Sequence, residues 1–351
     1  GNGGVGDRAS HPCRRIVRLV PRPGLAARAI GSLTDMSEQP DNLLRRFWRR
    51  ARAGFSMPAT EAQVADVNRR VHRIGRQLAG VEKIWLRTRH LEPAVQSLIR
   101  ERFLPADTLP YPERLTARRF RISSQNQEDG LTLALLTEAG ATGCRFVEIG
   151  AGLSGGNSGF LARECGWSGL MVDGHVKHMV QVGRRFPTVK AVAAWVTRDN
   201  VNELITANGF TGEVDLFSLD LDGNDYWIWE AMTACSPRIV ILEYNSMFGP
   251  DRSVTVPYDP KFDRHHHHTM YYGASLAALV KASERKGYRL VTVEPTGVNA
   301  FFLRNDLATH IPACEPARAF RLLEKYDVMM QQGEDVYRYA EKQGLSLVDV
   351  S

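Results

Sequence analysis

Between residues 64 and 85 the apolar positions Val64, Val67, Val71, Ile74, Leu78, Val81 and Trp85 recur at alternating spacings of three and four. That period predicts a helix with a narrow apolar seam. Thr60 followed by Gln63 has the form of a capping box that opens it. So narrow a stripe needs another helix to cover it. Residues 60–86 are therefore expected to pair with the same helix of a second copy, as a homodimer, or with Leu91, Val95 and Leu98 folded back. Upstream, NLLRRFWRRARAGF after Asp41 sets Leu43, Leu44, Phe47 and Trp48 against five arginines. It predicts a short amphipathic helix packed on the main domain, with peripheral contact to an anionic membrane surface as the alternative.

Past the turn-rich LPADTLPYPE at 104–113, short apolar runs begin to alternate with helical stretches, the grammar of an α/β domain. Strands are predicted at 145–149, 170–173, within 188–195, and at 214–220, 238–243, 289–294 and 299–304. Helices are predicted at 159–165 and 275–286. Only Pro295 to Val298 separate the last two strands, too few residues for a crossover helix, so these strands must pair antiparallel. The stretch 317–344 reads as helices that cover the sheet. Four segments result: an extension at 1–38, a basic helical region at 39–115, the α/β domain at 116–310 and C-terminal helices at 311–351.

Composition narrows the class. Of 351 residues, 43% are hydrophobic and 24% charged, a soluble globular balance, and no run approaches the ~20 apolar residues that cross a bilayer. The five cysteines are scattered and never spaced as CxxC, which argues against a disulfide framework or a zinc knuckle and suits a reducing cytoplasm. Residues 1–38 are rich in Arg, Gly and Pro without an apolar core. They read as a disordered or appended extension with Met36 as a natural start, an organellar leader being the alternative. Residues 1–122 hold 24 Lys/Arg against 11 Asp/Glu, a balance of +13, and the remainder holds 21 against 28, or −7.

The chemistry is concentrated after the first strand of the α/β domain, in Glu148-Ile149-Gly150-Ala151-Gly152 and on to Gly159. Glycines let backbone approach a ligand closely, and open α/β sheets bind ligands just beyond the carboxyl ends of their strands. Gly150, Gly152 and Gly155 satisfy a bare dinucleotide pattern. Glu148 argues against that reading, because a carboxylate beside the turn repels a pyrophosphate and welcomes a sulfonium or amino group.

FVEIGAG at 146–152 followed by GLMVDG at 169–174 resembles motif I and its acidic successor in class I S-adenosylmethionine (SAM)-dependent methyltransferases. The closer resemblance is to FkbM-type enzymes, through SSQNQEDG (123–130), VDLFSLDLDGNDYWIWEAM (214–232), RIVILEYNSMFGP (238–250), YYGASLAALVKASERKGYRLV (271–291) and NAFFLR (299–304). It implies a Rossmann-like seven-stranded sheet, mostly parallel with the last strand antiparallel, and SAM as cofactor. The N-terminal helical region lies outside the resemblance. By the same resemblance Glu148, Gly150 and Gly152 surround the amino acid and ribose parts of the cofactor, and Asp173 accepts hydrogen bonds from both ribose hydroxyls. Ala194 and Trp195 lie against the adenine, and Asp220 faces the methionine end. His175 and His178 are second choices near the ribose.

For the reaction itself, candidates for the base are Asp220, Asp222 and Asp225 in the loop after strand four, or His265 in the run His265–His268. That run is otherwise a solvated loop. Asp222, Glu243 and Asn245 form an expected oxygen set for Mg²⁺, although Tyr244 stands where related enzymes carry a second acid. Hydrogen bonding to substrate or structural capping are the alternatives for these three. O-methylation of a hydroxyl on a small molecule or glycan is the leading expectation. N-methylation and a catalytically silent assembly module are its rivals. The basic front suits an anionic acceptor such as a phosphorylated or nucleotide-linked sugar. A nucleic-acid acceptor is disfavoured, because no Asn/Asp-Pro-Pro-Tyr sequence occurs and aromatics are not interleaved with the basic run.

Overall fold

The structure, a computed structural model, describes residues 106–266 and 270–351 together with Val95 and Leu98. The expectations for residues 1–38, for the segment after Asp41 and for the helix at 60–86 lie outside the described residues, as do His267 and His268.

The described strands are β1 (Arg145–Ile149), β2 (Ser168–Asp173), β3 (Val189–Ala193), β4 (Gly212–Leu219), β5 (Cys235–Glu243), β6 (Val254–Thr255), β7 (Tyr288–Val293), β8 (Asn299–Arg304) and β9 (Val348–Asp349). Seven of them form one sheet in the order β3-β2-β1-β4-β5-β8-β7. Pairings from β3 through β5 are parallel, whereas β8 runs antiparallel to both β5 and β7. This is the mostly parallel α/β sheet with one reversed strand that the short Pro295–Val298 link requires. Gly297 turns that link at φ 86°, where an added Cβ would lie 2.4 Å from the Arg321 carbonyl oxygen.

Helices α1 (Glu113–Thr116), α2 (Glu128–Ala139), α3 (Gly159–Glu164), α4 (Val176–Arg185), α5 (Val201–Ala207), α6 (Asp225–Ala231) and α7 (Leu276–Arg285) surround the sheet. Successive strand residues feed opposite cores. Val147, Phe217, Leu242 and Phe302 join Trp229 and Leu279 on one face, while Phe146, Leu216, Ile241 and Phe301 join Leu131 and Leu161 on the other. Burial on both faces explains the continuous apolar runs in place of alternation. Each such side chain contributes about 1.5–3 kcal/mol on leaving water.

C-terminal to these, α8 (Pro316–Ala319), α9 (Glu324–Gln331) and α10 (Val336–Gln343) do not all cover the sheet. The short α8 packs against β7 and α7. Tyr326, Val336 and Ala340 join Met247, Phe248, Val254, Val256, Phe262, Met270, Tyr271 and Tyr272 in a third core above the carboxyl end of β5. Tyr337 Oη donates to the Phe248 carbonyl at 2.7 Å, and β9 pairs with β6. The insertion 246–272 carries its own apolar side chains, and the C-terminal helices bury them.

Among the described residues Cys165, Cys235 and Cys314 are free thiols. No helix among the described residues is long and apolar enough to cross a membrane.

Candidate active site

A cavity of about 470 Å³ opens beyond the carboxyl ends of β1, β2 and β4. Its volume lies in the range of small-molecule sites. The turn after β1 forms one wall. Gly150 adopts φ 87° and brings its backbone so close to β4 that a Cβ would stand 1.7 Å from the Asp220 carbonyl oxygen. Gly152, at φ 53°, has nothing within 4 Å of an added Cβ; a side chain there would project into the open space that its backbone lines.

Glu148 does not reach this cavity. It is fully buried beneath the turn, where its carboxylate accepts from the Asn157 amide at 3.1 Å, from Ser218 Oγ at 3.0 Å and from the Ser158 hydroxyl. A Cβ on Gly156 would strike it. Burial pushes Glu148 up to about 7, against the pull of those hydrogen bonds. Its place is therefore that of an anchor for the turn rather than a wall residue around a cofactor.

Asp173, at the end of β2, does line the cavity. Its Oδ2 accepts from the Gly152 amide at 2.9 Å and its Oδ1 from the His175 amide at 2.7 Å. Each oxygen keeps a further acceptor position, since an ionised carboxylate offers about four. His175 and His178 stand on the same wall, edge to face at 4.7 Å. Trp195 lines it too, half exposed, with Nε1 donating to the Pro260 carbonyl at 2.8 Å. Ala194 does not; its side chain packs against the apolar core.

Beyond β4 and β5 the acids separate by role. Asp220 and Asp222 are on the wall. Asp225 is fully buried in the first turn of α6, with Oδ1 accepting from the Leu221 amide at 2.8 Å and Oδ2 from the Gly223 amide at 2.9 Å. It folds the loop and has no access to a substrate proton, which removes it as the base. Asn245 is likewise spent. Nδ2 donates to the Met270 and Tyr272 carbonyls, at 2.7 and 2.9 Å, and Oδ1 accepts from the Met247 amide at 3.0 Å. The ligand oxygens that do converge, within 4.8 Å of one another, belong to Asp220, Asp222 and Glu243. Glu243 is buried and its Oε2 has no partner. Burial and the neighbouring carboxylates push both Asp220 and Glu243 above the ordinary carboxylate range.

The roof comes from two segments. Phe262, Asp263, Arg264 and His265 close one side, held by Trp195 and by Asn224, whose Nδ2 donates to the Asp259 carbonyl at 2.7 Å. Gln125 closes the other. The segment before α2 is gathered by Asp129, whose Oδ2 accepts from the amides of Ile122, Ser123 and Ser124. Glu128 accepts from the Asn126 amide and from Asn299 Nδ2. His265 is exposed on the wall. Arg264 and Gln125 were not singled out from the sequence. The paired acids Glu128-Asp129 at a helix start were the available signal for Gln125.

The donor set does not fit Mg²⁺ as the side chains stand. Mg²⁺ demands a near-octahedral oxygen shell. One expected ligand, Asn245, faces elsewhere, and the Asp222 carboxylate is ion-paired with the Arg264 guanidinium.

No family model and no curated protein matches the chain. Solved structures similar to it include a TehB-like SAM-dependent methyltransferase from Corynebacterium glutamicum, 10% identical, covering 49% of this chain and 86% of that one at a TM-score of 0.29. An O-methyltransferase from Bacillus cereus in complex with SAH is 16% identical, over 51% and 80%, at 0.32. The O-methyltransferase TomG from Streptomyces achromogenes, in complex with SAM, is 13% identical, over 52% and 82%, at 0.31.

Proposed function

We propose that this chain is a SAM-dependent methyltransferase acting on a hydroxyl of a small molecule or sugar. The observation that carries the reading is the charge of the cavity wall. Asp173, Asp220, Asp222 and Asp263 line it against a single arginine, Arg264, with Glu243 behind. Such a wall repels a pyrophosphate and favours a ligand bearing a sulfonium and an amino group. Asp173 would hold the ribose hydroxyls, the open backbone at Gly152 the adjoining part of the cofactor, and Trp195 the adenine. The FkbM-type resemblance supports the same assignment.

SAM, when bound, supplies an electrophilic methyl group. The chain's own part is to align the acceptor with that methyl, which is worth up to ~7–11 kcal/mol, and to remove the acceptor's proton, which adds ~100-fold to 10,000-fold. Asp220 is the wall carboxylate best suited to take the proton. Its basicity is raised by burial, and Glu243 stands next to it to share the proton. Gln125 and the 262–265 segment would exclude water. Asp222 is less suited, being paired with Arg264, and His265 is exposed.

The same acids would hold the charge of an amine, so nitrogen methylation is the second reading. Calorimetric titration of the full chain with S-adenosylhomocysteine (SAH) tests the core of both. Micromolar binding is expected, and absence of heat at high micromolar ligand would leave only a silent module of methyltransferase fold.

A further inference from the structure

Asp222 sits at φ 55°, in the left-handed region that aspartate enters more readily than most non-glycine residues. What it meets there is Arg264. The guanidinium contacts the Asp222 carboxylate through Nη1 and stands over the Tyr272 ring, with Cζ 4.1 Å from the ring centroid. Tyr272 is braced in turn by Tyr326, whose hydroxyl donates to the Tyr272 hydroxyl at 3.1 Å. The Arg264 side chain is only 21% exposed, so its charge is presented to the cavity and little to solvent.

The consequence lies in the charge balance. Asp220, Asp222 and Glu243 converge within 4.8 Å, and Glu243 Oε2 has no hydrogen-bond partner. Three converging carboxylates need a cation, a shared proton or both. A divalent ion would have to displace the guanidinium from Asp222 or sit beside it, against its repulsion. An arginine carries its charge at every working pH, so it can serve permanently.

We propose that Arg264 is the built-in counter-charge of this carboxylate cluster, standing where a divalent ion would otherwise balance it. Removal of the guanidinium converts Asp220, Asp222 and Glu243 into a divalent-cation site. The proposal deepens the methyl-transfer reading and rests on it only for the use to which the cluster is put.

The test is Mn²⁺ titrated into the full chain, with free ion followed by electron paramagnetic resonance. Wild type is expected to show no saturable binding up to millimolar Mn²⁺. Arg264→Ala should bind at least ~30-fold more tightly, because a unit charge a few ångströms from a divalent ion is worth more than that at a surface dielectric. Arg264→Lys should gain nothing, and Glu243→Gln added to Arg264→Ala should abolish the gain. Wild type binding Mn²⁺ as tightly as Arg264→Ala would overturn the proposal. So would a folded Arg264→Ala, judged by circular dichroism, that binds none; Arg264→Gln replaces it if the alanine variant does not fold. SAH titration of the same samples separates the two readings. A chain that binds no SAH yet shows the Mn²⁺ pattern loses methyl transfer and keeps the counter-charge.

Discussion

At the amino ends of β4 and β5, the acids Glu213, Asp215 and Asp306 interleave with Arg238 and Arg304. Glu213 contacts both arginines, at 3.2 and 2.7 Å, and Arg304 also reaches Asp306 at 2.7 Å. The Arg304 guanidinium holds both Glu213 and Asp306 below the usual carboxylate range. At the carboxyl ends of strands in the same sheet, Glu148, Asp220, Asp225 and Glu243 are all pushed upward by burial. Arg264 meets the neighbouring Asp222, which is not one of these four, and Lys325 lies within electrostatic reach of Glu243. One end is charge-matched and stabilises the fold. The other is held in a costly arrangement of the kind found where a ligand or a proton is to be handled.

Substitutions that swap the consequences of the two ends would break this contrast. The largest effect is expected from Asp215→Ala. Its carboxylate, fully buried, accepts from the amides of Thr142, Gly143 and Arg145 and neighbours the buried Arg238. Its loss should cost about 3–5 kcal/mol in urea unfolding, by leaving three backbone amides without their acceptor, with SAH affinity of the folded chain unchanged. Next, Asp173→Ala should weaken SAH by about 100-fold or more, through two charge-assisted hydrogen bonds of ~1.5–3 kcal/mol each, with a smaller loss of stability. Unchanged affinity would show that the ribose lies elsewhere.

The pH dependence sharpens the contrast further. Glu148 is raised in the folded chain, to about 7, so the native state binds its proton more tightly than the unfolded state. Its favourable contribution is complete below the ordinary glutamate range and declines as pH rises towards 7, by up to about 3 kcal/mol. Glu148→Gln should flatten that decline in unfolding measured from pH 4 to 8. Glu213 has the opposite sign: its contribution is present at neutral pH and lost as acid protonates it. Because Glu213 is partly exposed, Glu213→Gln should cost less than about 1 kcal/mol at neutral pH, and less still in high salt.

The architecture was largely legible in the sequence. The bounds of β1 and β8 could be read to the residue, and the short link at Pro295–Val298 dictated the reversed strand. Asp173 was legible because it ends a strand beside a glycine turn. Glu148 was not: a strand buried on both faces carries no alternation to say which way a polar residue points. Asp225 was misread for a different reason. In Leu221-Asp222-Gly223-Asn224-Asp225 two acids three residues apart look alike, yet one opens α6 and is consumed by its own loop's amides while the other stands in the cavity. Arg264 gave no local signal at all, since its meaning comes from Asp222, forty-two residues away.

Local patterns along the chain sufficed to determine the strands, the glycine turn, the reversed hairpin and the concentration of acids after β4 and β5, because backbone preference and apolar periodicity act over a few residues. Tertiary structure alone decided which of those acids face a cavity, which brace a loop and which meet a guanidinium. Those outcomes depend on burial and on partners brought in from distant segments, and a carboxylate's chemistry is set by what surrounds it rather than by its neighbours in sequence.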